Sequence, residues 1–291
     1  MKKTPPIIRR SKAEAADRRA ARSGKELHYP VKAELEVLYE DDHSIAVFKP
    51  AGLLVTPDRF EPSSDTLTNR IWYYLWEKKG ATDEVLAETR PRMVHRLDRD
   101  TSGVMIYAKT LAGQQELTEQ FEKHRVLKTY LAIVDGRVEA KSAHIDFPIG
   151  HPPRVNHSTR GKMFIGTPSA KPAITNIKTL EAHELWSLVQ AAPRTGRTHQ
   201  VRLHMSAYGH SLIIDPLYGK RSSLSIRDLH IKRLEQSDRV LMDRLTLHAA
   251  SIDFIKVTGT GKGTDRVRIE SEPPKDFQRL LEFLRTECTA E

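Results

Sequence analysis

The chain has 291 residues, 38% of them hydrophobic and 29% charged, with a mean hydropathy of -0.51, a globular composition long enough for one large domain or two modest ones. No run of about 18 apolar residues occurs, which excludes a spanning helix, and the first lysines precede no apolar stretch of signal-peptide length, so the expected compartment is the cytoplasm. Cys288 is the single cysteine, which excludes a disulfide framework and a cysteine-ligated zinc. The formal net charge is +9, and residues 1–32 hold seven of it, with ten Lys or Arg against three acids. That basic leader is too poor in apolar residues to fold alone. It reads either as a solvated tail or as an arm drawn to a polyanion, nucleic acid foremost.

In chain order, Glu34–Tyr39 alternates and Ser44–Phe48 runs apolar on either side of an Asp41-Asp42-His43 turn, which predicts a hairpin ending at Lys49-Pro50. A helix follows, with Asp65 as its cap, Leu67, Ile71, Tyr74 and Leu75 on one face, and Gly80 at its end. Residues 80–92 carry no period and read as loop. Met105–Ala108 predicts a buried strand, 111–124 a weak helix with Leu117 and Phe121 one turn apart, and Tyr130–Val134 a strand stopped by Asp135-Gly136. Seven Gly or Pro within 149–172, with several basic residues among them, predict a long exposed loop. Strand character returns at Glu184–Ala191. A helix is expected at 198–208, stopped by Gly209; 220–240 is charged and irregular. Strands at Thr246–Phe254 and Val267–Ile269 precede a terminal helix after Pro273-Pro274. Many strands without regular βαβ alternation predict an α+β fold with a mixed, mostly antiparallel sheet flanked by helices.

Two segments concentrate chemistry-bearing residues. Val94–Gly103 is a polar loop between apolar stretches, with Asp98 between Arg96 and Arg99; Pro193–Arg202 is a loop entering a helix, with Arg194, Arg197 and Arg202. An arginine beside an aspartate favours the ionised acid, and guanidinium suits phosphate. The Thr195-Gly196 turn would also offer backbone N–H groups to an anion. Plainer readings stand beside these. Asp98 could be a turn acid satisfied by Thr101 and Ser102, Asp100 a turn residue, Arg197 a surface contact and Tyr130 a core residue. A metal site is the rival chemistry, with His95, Asp98, Asp100, His199 and His204 as ligand types. Yet His199 and His204 fall roughly 140° apart on a helix, and no HExxH or DxDxD pattern is present. GxSxG, GxGxxG and GxxxxGK[ST] are also absent, and Gly259–Gly263 lacks the spacing of a phosphate loop.

The segment His95-Arg-Leu-Asp-Arg-Asp-Thr-Ser-Gly103 resembles the HRLDxxTSG signature of the RluA-type pseudouridine synthases. Five further segments match that family in order: Lys49-Pro-Ala-Gly-Leu-Leu-Val55, Lys128-Thr-Tyr130, Thr195-Gly-Arg-Thr-His-Gln-Val-Arg-Leu-His204, Asp215-Pro-Leu-Tyr-Gly219 and Leu247-His-Ala249. The resemblance covers about residues 33–285. It implies one catalytic domain over 33–291, built on a bipartite sheet with the active site in the central cleft. It further implies a cofactor-free, metal-free reaction in which the uracil of an RNA uridine leaves ribose C1′, rotates and rejoins through C5. Asp98 aligns with the essential aspartate, which either attacks the nucleoside or acts on the ribose. Arg197 aligns with the arginine paired to it, and Tyr130 with the tyrosine stacked on the base. Arg96 is read as the side chain filling the gap left by an everted nucleotide, an eversion that costs a few kcal/mol. Arg96, Arg99, Arg194, Arg202 and Lys49 are the candidate RNA contacts. Residues 1–32 are too short and polar for the small RNA-binding module that many relatives carry, and the basic leader is the expected substitute. The expected partner is rRNA or tRNA, with no membrane and no obligate protein partner. The alternatives are a non-catalytic RNA-binding or assembly protein of the same fold, and metal-dependent phosphoester hydrolysis.

Overall fold

A computed structural model describes residues 30–57, 61, 64–157, 159–229, 231 and 237–288. All but the last three residues of the basic leader, 30–32, lie outside them. In chain order the elements are β1 (Val37–Glu40), β2 (Ser44–Lys49), α1 (Leu67–Lys78), α2 (Asp83–Leu86), β3 (Arg92–Met93), β4 (Ser102–Ala108), α3 (Leu111–Glu122), β5 (Leu127–Asp135), β6 (Ser142–Ile145), β7 (Ile149–Gly150) and β8 (Phe164–Ile165). They continue with β9 (Thr175–Ala182), β10 (Trp186–Pro193), α4 (Gln200–Ala207), β11 (Leu224–Ser225), a 3-10 turn (Arg227–Leu229), β12 (Val240–Met242), β13 (Leu247–Ile255), β14 (Arg266–Glu270) and α5 (Lys275–Glu287). The described residues fall into two compact units: one of residues up to 35 plus 54–91, the other of 36–53 plus 92 onward.

In the smaller unit the predicted helix forms as α1, but its cap differs. Thr66 accepts from the Asn69 N–H, while Asp65 instead holds Arg70 through two bonds of 2.7 Å. Part of the predicted 80–92 loop coils into α2 because two indoles need acceptors: Trp72 Nε1 donates to Leu86 O and Trp76 Nε1 to Thr82 O.

The larger unit carries the α+β fold expected from the pattern. Its ten-stranded sheet runs β1-β2-β4-β13-β5-β10-β9-β6, with β14 added to β13 and β3 to β4. All pairings in it are antiparallel but one. β13 lies parallel to β4, through His248↔Ser102 and Ala249↔Gly103, and so joins two halves, β1-β2-β4 and β5-β10-β9-β6. This seam explains two sequence segments at once. Ser102 Oγ bonds His248 Nδ1 at 3.1 Å. Gly103 has φ +121°, and a Cβ there would sit 2.2 Å from Ala249 O, so only glycine lets the strands meet.

Alternation along β5 decides where the site lies. Ala132 and Val134 pack with Val201 and Met205 of α4, whereas Ile133 packs with Phe277, Leu280 and Leu284 of α5. By the period of two, Tyr130 shares the α4 face; it packs against that cluster. Each fully buried aliphatic of α4 contributes about 1.5–3 kcal/mol, so the helix bearing the candidate arginines is fixed firmly on the sheet.

Strands β6 and β9 are absent from the sequence reading. The 149–172 stretch also differs from a fully exposed loop: β7 pairs with β8, Ile149 bridges to Lys171, and Ile149, Met163 and Ala173 are buried against Leu203. Likewise 220–240 holds the β11–β12 pair.

Candidate active site

Arg99 and Asp100 form a tight turn closed by the Thr101 N–H donating to Asp98 O at 3.2 Å. Beneath it Lys49, fully buried, points its ammonium at three carbonyls: Pro50 O (2.9 Å), Arg99 O (2.6 Å) and Thr101 O (2.9 Å). Burial pushes this lysine down to about 7, opposed by the nearby Asp100 and Asp98. The expected RNA contact at Lys49 is therefore corrected. Its donors are engaged inside the protein, where they hold the aspartate loop in place.

The Asp98 carboxylate is not a turn acid. Its Oδ2 accepts from Arg202 Nη1 at 3.1 Å, and its Oδ1 lies 3.8 Å from His199 Nε2. Arg202 is gripped from behind: its Nε and Nη2 donate to the two oxygens of Asp215 at 2.7 and 2.8 Å. The Arg202 side chain is 5% exposed, Asp215 1% and Asp98 22%, so of the three only Asp98 is within reach of a ligand. Burial alone would lower the arginine, but bonding to Asp215 and the charges of Asp215 and Asp98 outweigh it and hold the guanidinium more firmly protonated than usual. A bidentate fork with a further N–H turned to a second carboxylate is a geometry that arginine can supply and lysine cannot.

The arginine that meets Asp98 is thus Arg202, and the pairing expected of Arg197 is corrected. Helix α4 begins only at Gln200, after His199 adopts a left-handed conformation at φ 56°. That leaves Arg197 on the turn, with its Nε bonded to Pro172 O at 3.1 Å, and swings Arg202 inward. For the same reason Arg202 is not an RNA contact. Nor does the Thr195-Gly196 turn offer an open Arg197 N–H, because Gln200 Oε1 accepts both it (3.0 Å) and the Thr195 hydroxyl (2.7 Å).

Above this floor is a cavity of about 360 Å³ lined by Arg96, Asp98, Lys128, Tyr130, Arg194, Arg197, His199 and Arg202, among others. Tyr130 projects into it from β5; burial, with Asp98 near, drives its phenol well above the usual range, so it stays protonated. Lys128 donates to Thr195 O at 3.0 Å, and burial takes it down to about 8. Arg96 and Arg194 are exposed at the rim, with no side-chain bond among the described residues. Arg99 is exposed outside the cavity, with Nε 3.2 Å from Gly52 O.

Several candidate metal ligands are occupied otherwise. His95 Nε2 accepts the Ile106 N–H (3.1 Å) and its ring stacks on Phe121; burial lowers it to about 3, which keeps it neutral. His204 Nε2 bonds Phe147 O at 2.9 Å. What the sequence reading missed is the support: Asp215, Tyr218 and His199. Tyr218 lies under the Arg202 guanidinium, 5.2 Å from ring centroid to Cζ, and its hydroxyl joins His199 Nδ1 (2.9 Å) to the Met163 N–H (2.7 Å). The Asp215–Gly219 segment was visible as a motif, and a lone acid in it was the available signal for a buried arginine partner.

A carboxylate faced by a locked guanidinium, with a protonated phenol lining the same cleft and arginines at its rim, is an arrangement suited to an anionic substrate. Comparison with known proteins narrows this. The sequence model of the family described as RNA pseudouridylate synthase matches residues 43–207. The ribosomal large subunit pseudouridine synthase D of Zymomonas mobilis is 36% identical over 256 residues, 88% of this chain and 74% of that protein. Its namesake in Pseudomonas aeruginosa is 35% identical over 257 residues, with the same shares. An uncharacterized RNA pseudouridine synthase of Bacillus subtilis, YhcT, is 37% identical over 209 residues, 71% of this chain and 65% of that one. Two solved human structures share the fold. RNA Pseudouridylate Synthase Domain Containing 4 has a TM-score of 0.65 at 24% identity, covering 86% of this chain and 93% of that one. RNA Pseudouridylate Synthase Domain Containing 1 has a TM-score of 0.58 at 23%, covering 89% and 97%. The chain belongs to the RNA pseudouridylate synthase family and is an isomerase acting on RNA.

Proposed function

We propose that this protein converts a uridine of large-subunit ribosomal RNA to pseudouridine with Asp98 as the reacting acid. The observation that carries this reading is the Asp215–Arg202–Asp98 chain of charged bonds at 2.7–3.1 Å, ending in a partly exposed carboxylate at the floor of the cavity. The isomerisation breaks the C1′–N1 bond and makes a C1′–C5 bond; a proton leaves C5 and N1 gains one. Asp98 works on the nucleoside as a carboxylate, with Arg202 as counter-charge. Tyr130 packs against the base from β5, its phenol protonated and placed for the proton step. Arg96 occupies the space of the everted nucleotide, and Arg194 and Arg197 meet flanking phosphates, where cationic contacts supply affinity without sequence preference. The ribosomal target is supported by the names of the two D-type relatives; reaction in the cytoplasm accords with the absence, among the described residues, of a helix long and apolar enough to cross a membrane.

The test is Asp98→Asn, incubated with total RNA from cells lacking the gene and mapped by carbodiimide primer extension. New pseudouridines are expected in large-subunit rRNA with the unaltered protein and at no site with the variant, while RNA affinity stays within about twofold, since an Asp-to-Asn change removes the acid but little contact area. Normal turnover by the variant would exclude Asp98 as the reacting group. Pseudouridines confined to tRNA would overturn the ribosomal target alone.

A further inference from the structure

The two oxygens of Asp98 are treated unequally. Oδ2 is bonded to Arg202, whereas Oδ1 has no bond as short; its neighbour is His199 Nε2 at 3.8 Å, too long for a hydrogen bond. His199 itself is held in an uncommon way. It is one of three non-glycine residues with positive φ among the described residues, a conformation that costs free energy and persists only where surroundings enforce it. Its ring is bonded to the Tyr218 hydroxyl. That hydroxyl accepts the Met163 N–H at 2.7 Å and lies 2.9 Å from His199 Nδ1. A phenol that already accepts one hydrogen bond completes its bonding by donating its own proton, here to Nδ1. The imidazole proton then sits on Nε2, on the side of Asp98.

We infer that His199, fixed by Tyr218 as the neutral tautomer with its proton on Nε2, is a positioning residue for Asp98: it sets a donor beside Oδ1, the oxygen that Arg202 leaves open to the nucleoside. This deepens the reading of Asp98 as the reacting acid and rests on it. In either route available to Asp98, bonding to the nucleoside or taking a proton from the ribose, the carboxylate loses its charge and must regain it. A neutral N–H beside Oδ1 favours the restored anion without holding it as a second cation would. The charged and titratable groups facing His199 are Asp98, Arg202, Asp215, Arg96 and Tyr218. Burial lowers the imidazole, Asp98 and Asp215 oppose this, and Arg202 and Arg96 reinforce it, with a net shift downward. At neutral pH the ring is therefore uncharged. In acid it becomes an imidazolium that ties up Oδ1, and kcat falls as pH drops through its titration.

The experiment measures tritium release from [5-³H]uridine-labelled large-subunit rRNA transcript by the full-length protein across pH, for the unaltered enzyme, Asp98→Asn, His199→Asn, His199→Gln and Tyr218→Phe. Asparagine tolerates the left-handed backbone but is too short to reach Asp98; glutamine restores an amide N–H at the Nε2 position. Expected is a fall in kcat of about threefold to tenfold for His199→Asn with KM nearly unchanged, the scale of a polar N–H facing a charge across a short gap rather than of a formed hydrogen bond, and partial recovery with His199→Gln. Tyr218→Phe removes the donor to Nδ1, makes protonation easier and moves the acid limb of the kcat profile to higher pH. If His199→Asn matched the unaltered enzyme in kcat and in pH profile while Asp98→Asn was inactive, the inference would fall and the reading of Asp98 would stand; an active Asp98→Asn would remove that reading instead. Should His199→Asn not fold, an unshifted acid limb in Tyr218→Phe overturns the inference by itself.

Discussion

The floor and the rim of the cleft use arginine in opposite ways. On the floor, Arg202 is 5% exposed and shares its N–H groups between two carboxylates; at the rim, Arg96 and Arg194 stand exposed with no side-chain bond among the described residues. Burial makes the first a fixed structural charge, whose partners determine where Asp98 lies. Exposure leaves the others free of any bonded partner among the described residues, and an unpaired cation at a surface attracts a polyanion in a way that salt weakens. One residue type thus supplies geometry below and affinity above.

Removing a floor partner has the largest expected cost. Asp215→Ala leaves a buried guanidinium with one carboxylate in place of two, and loss of one member of a buried charged group costs about 3–5 kcal/mol. A chemical-denaturation midpoint should fall accordingly, and an unchanged midpoint would mean that Arg202 relaxes to solvent. Gly103→Ala comes next. Its Cβ would approach Ala249 O to 2.2 Å at φ +121°, so overpacking and backbone strain together cost about 3 kcal/mol; thermal melting that matched the parent would show that the β4–β13 seam yields easily. The rim gives the smallest effect. Arg194→Ala should leave stability within about 0.5 kcal/mol, raise KM several-fold and make log affinity less steep in log salt by about 0.7 for the phosphate no longer neutralised. An unchanged salt slope would place the RNA path elsewhere.

Much of this was legible in the sequence, because hydrophobic period and turn chemistry are local. Asp41, for example, closes the predicted hairpin by accepting from the His43 and Ser44 N–H groups. Strand β9 escaped because only Thr175 and Ile177 of its eight residues are buried, and its one other large apolar residue, Leu180, is exposed. The motif resemblance located Asp98 and Tyr130 in one cavity, yet it paired the wrong arginine. Arg197 and Arg202 lie in the same short segment, and which of them turns inward depends on the left-handed residue at His199 and on an acid thirteen positions beyond Arg202, neither of which spacing reveals. Lys49 was misread for a similar reason: a lysine beside a proline looks like a surface charge until three carbonyls are seen around it.

The most direct test of the floor compares turnover of Arg202→Lys and Arg197→Ala on the same RNA, with thermal melting as the control for folding. Lysine keeps the charge at 202 but cannot bridge Asp215 and Asp98 as a fork, so kcat should fall about 10²-fold, equivalent to roughly 3 kcal/mol, whereas Arg197→Ala should keep kcat within about twofold and change only KM. The reverse result, with 197 essential and 202 dispensable in folded protein, would contradict the placement of Arg202 as the partner of Asp98.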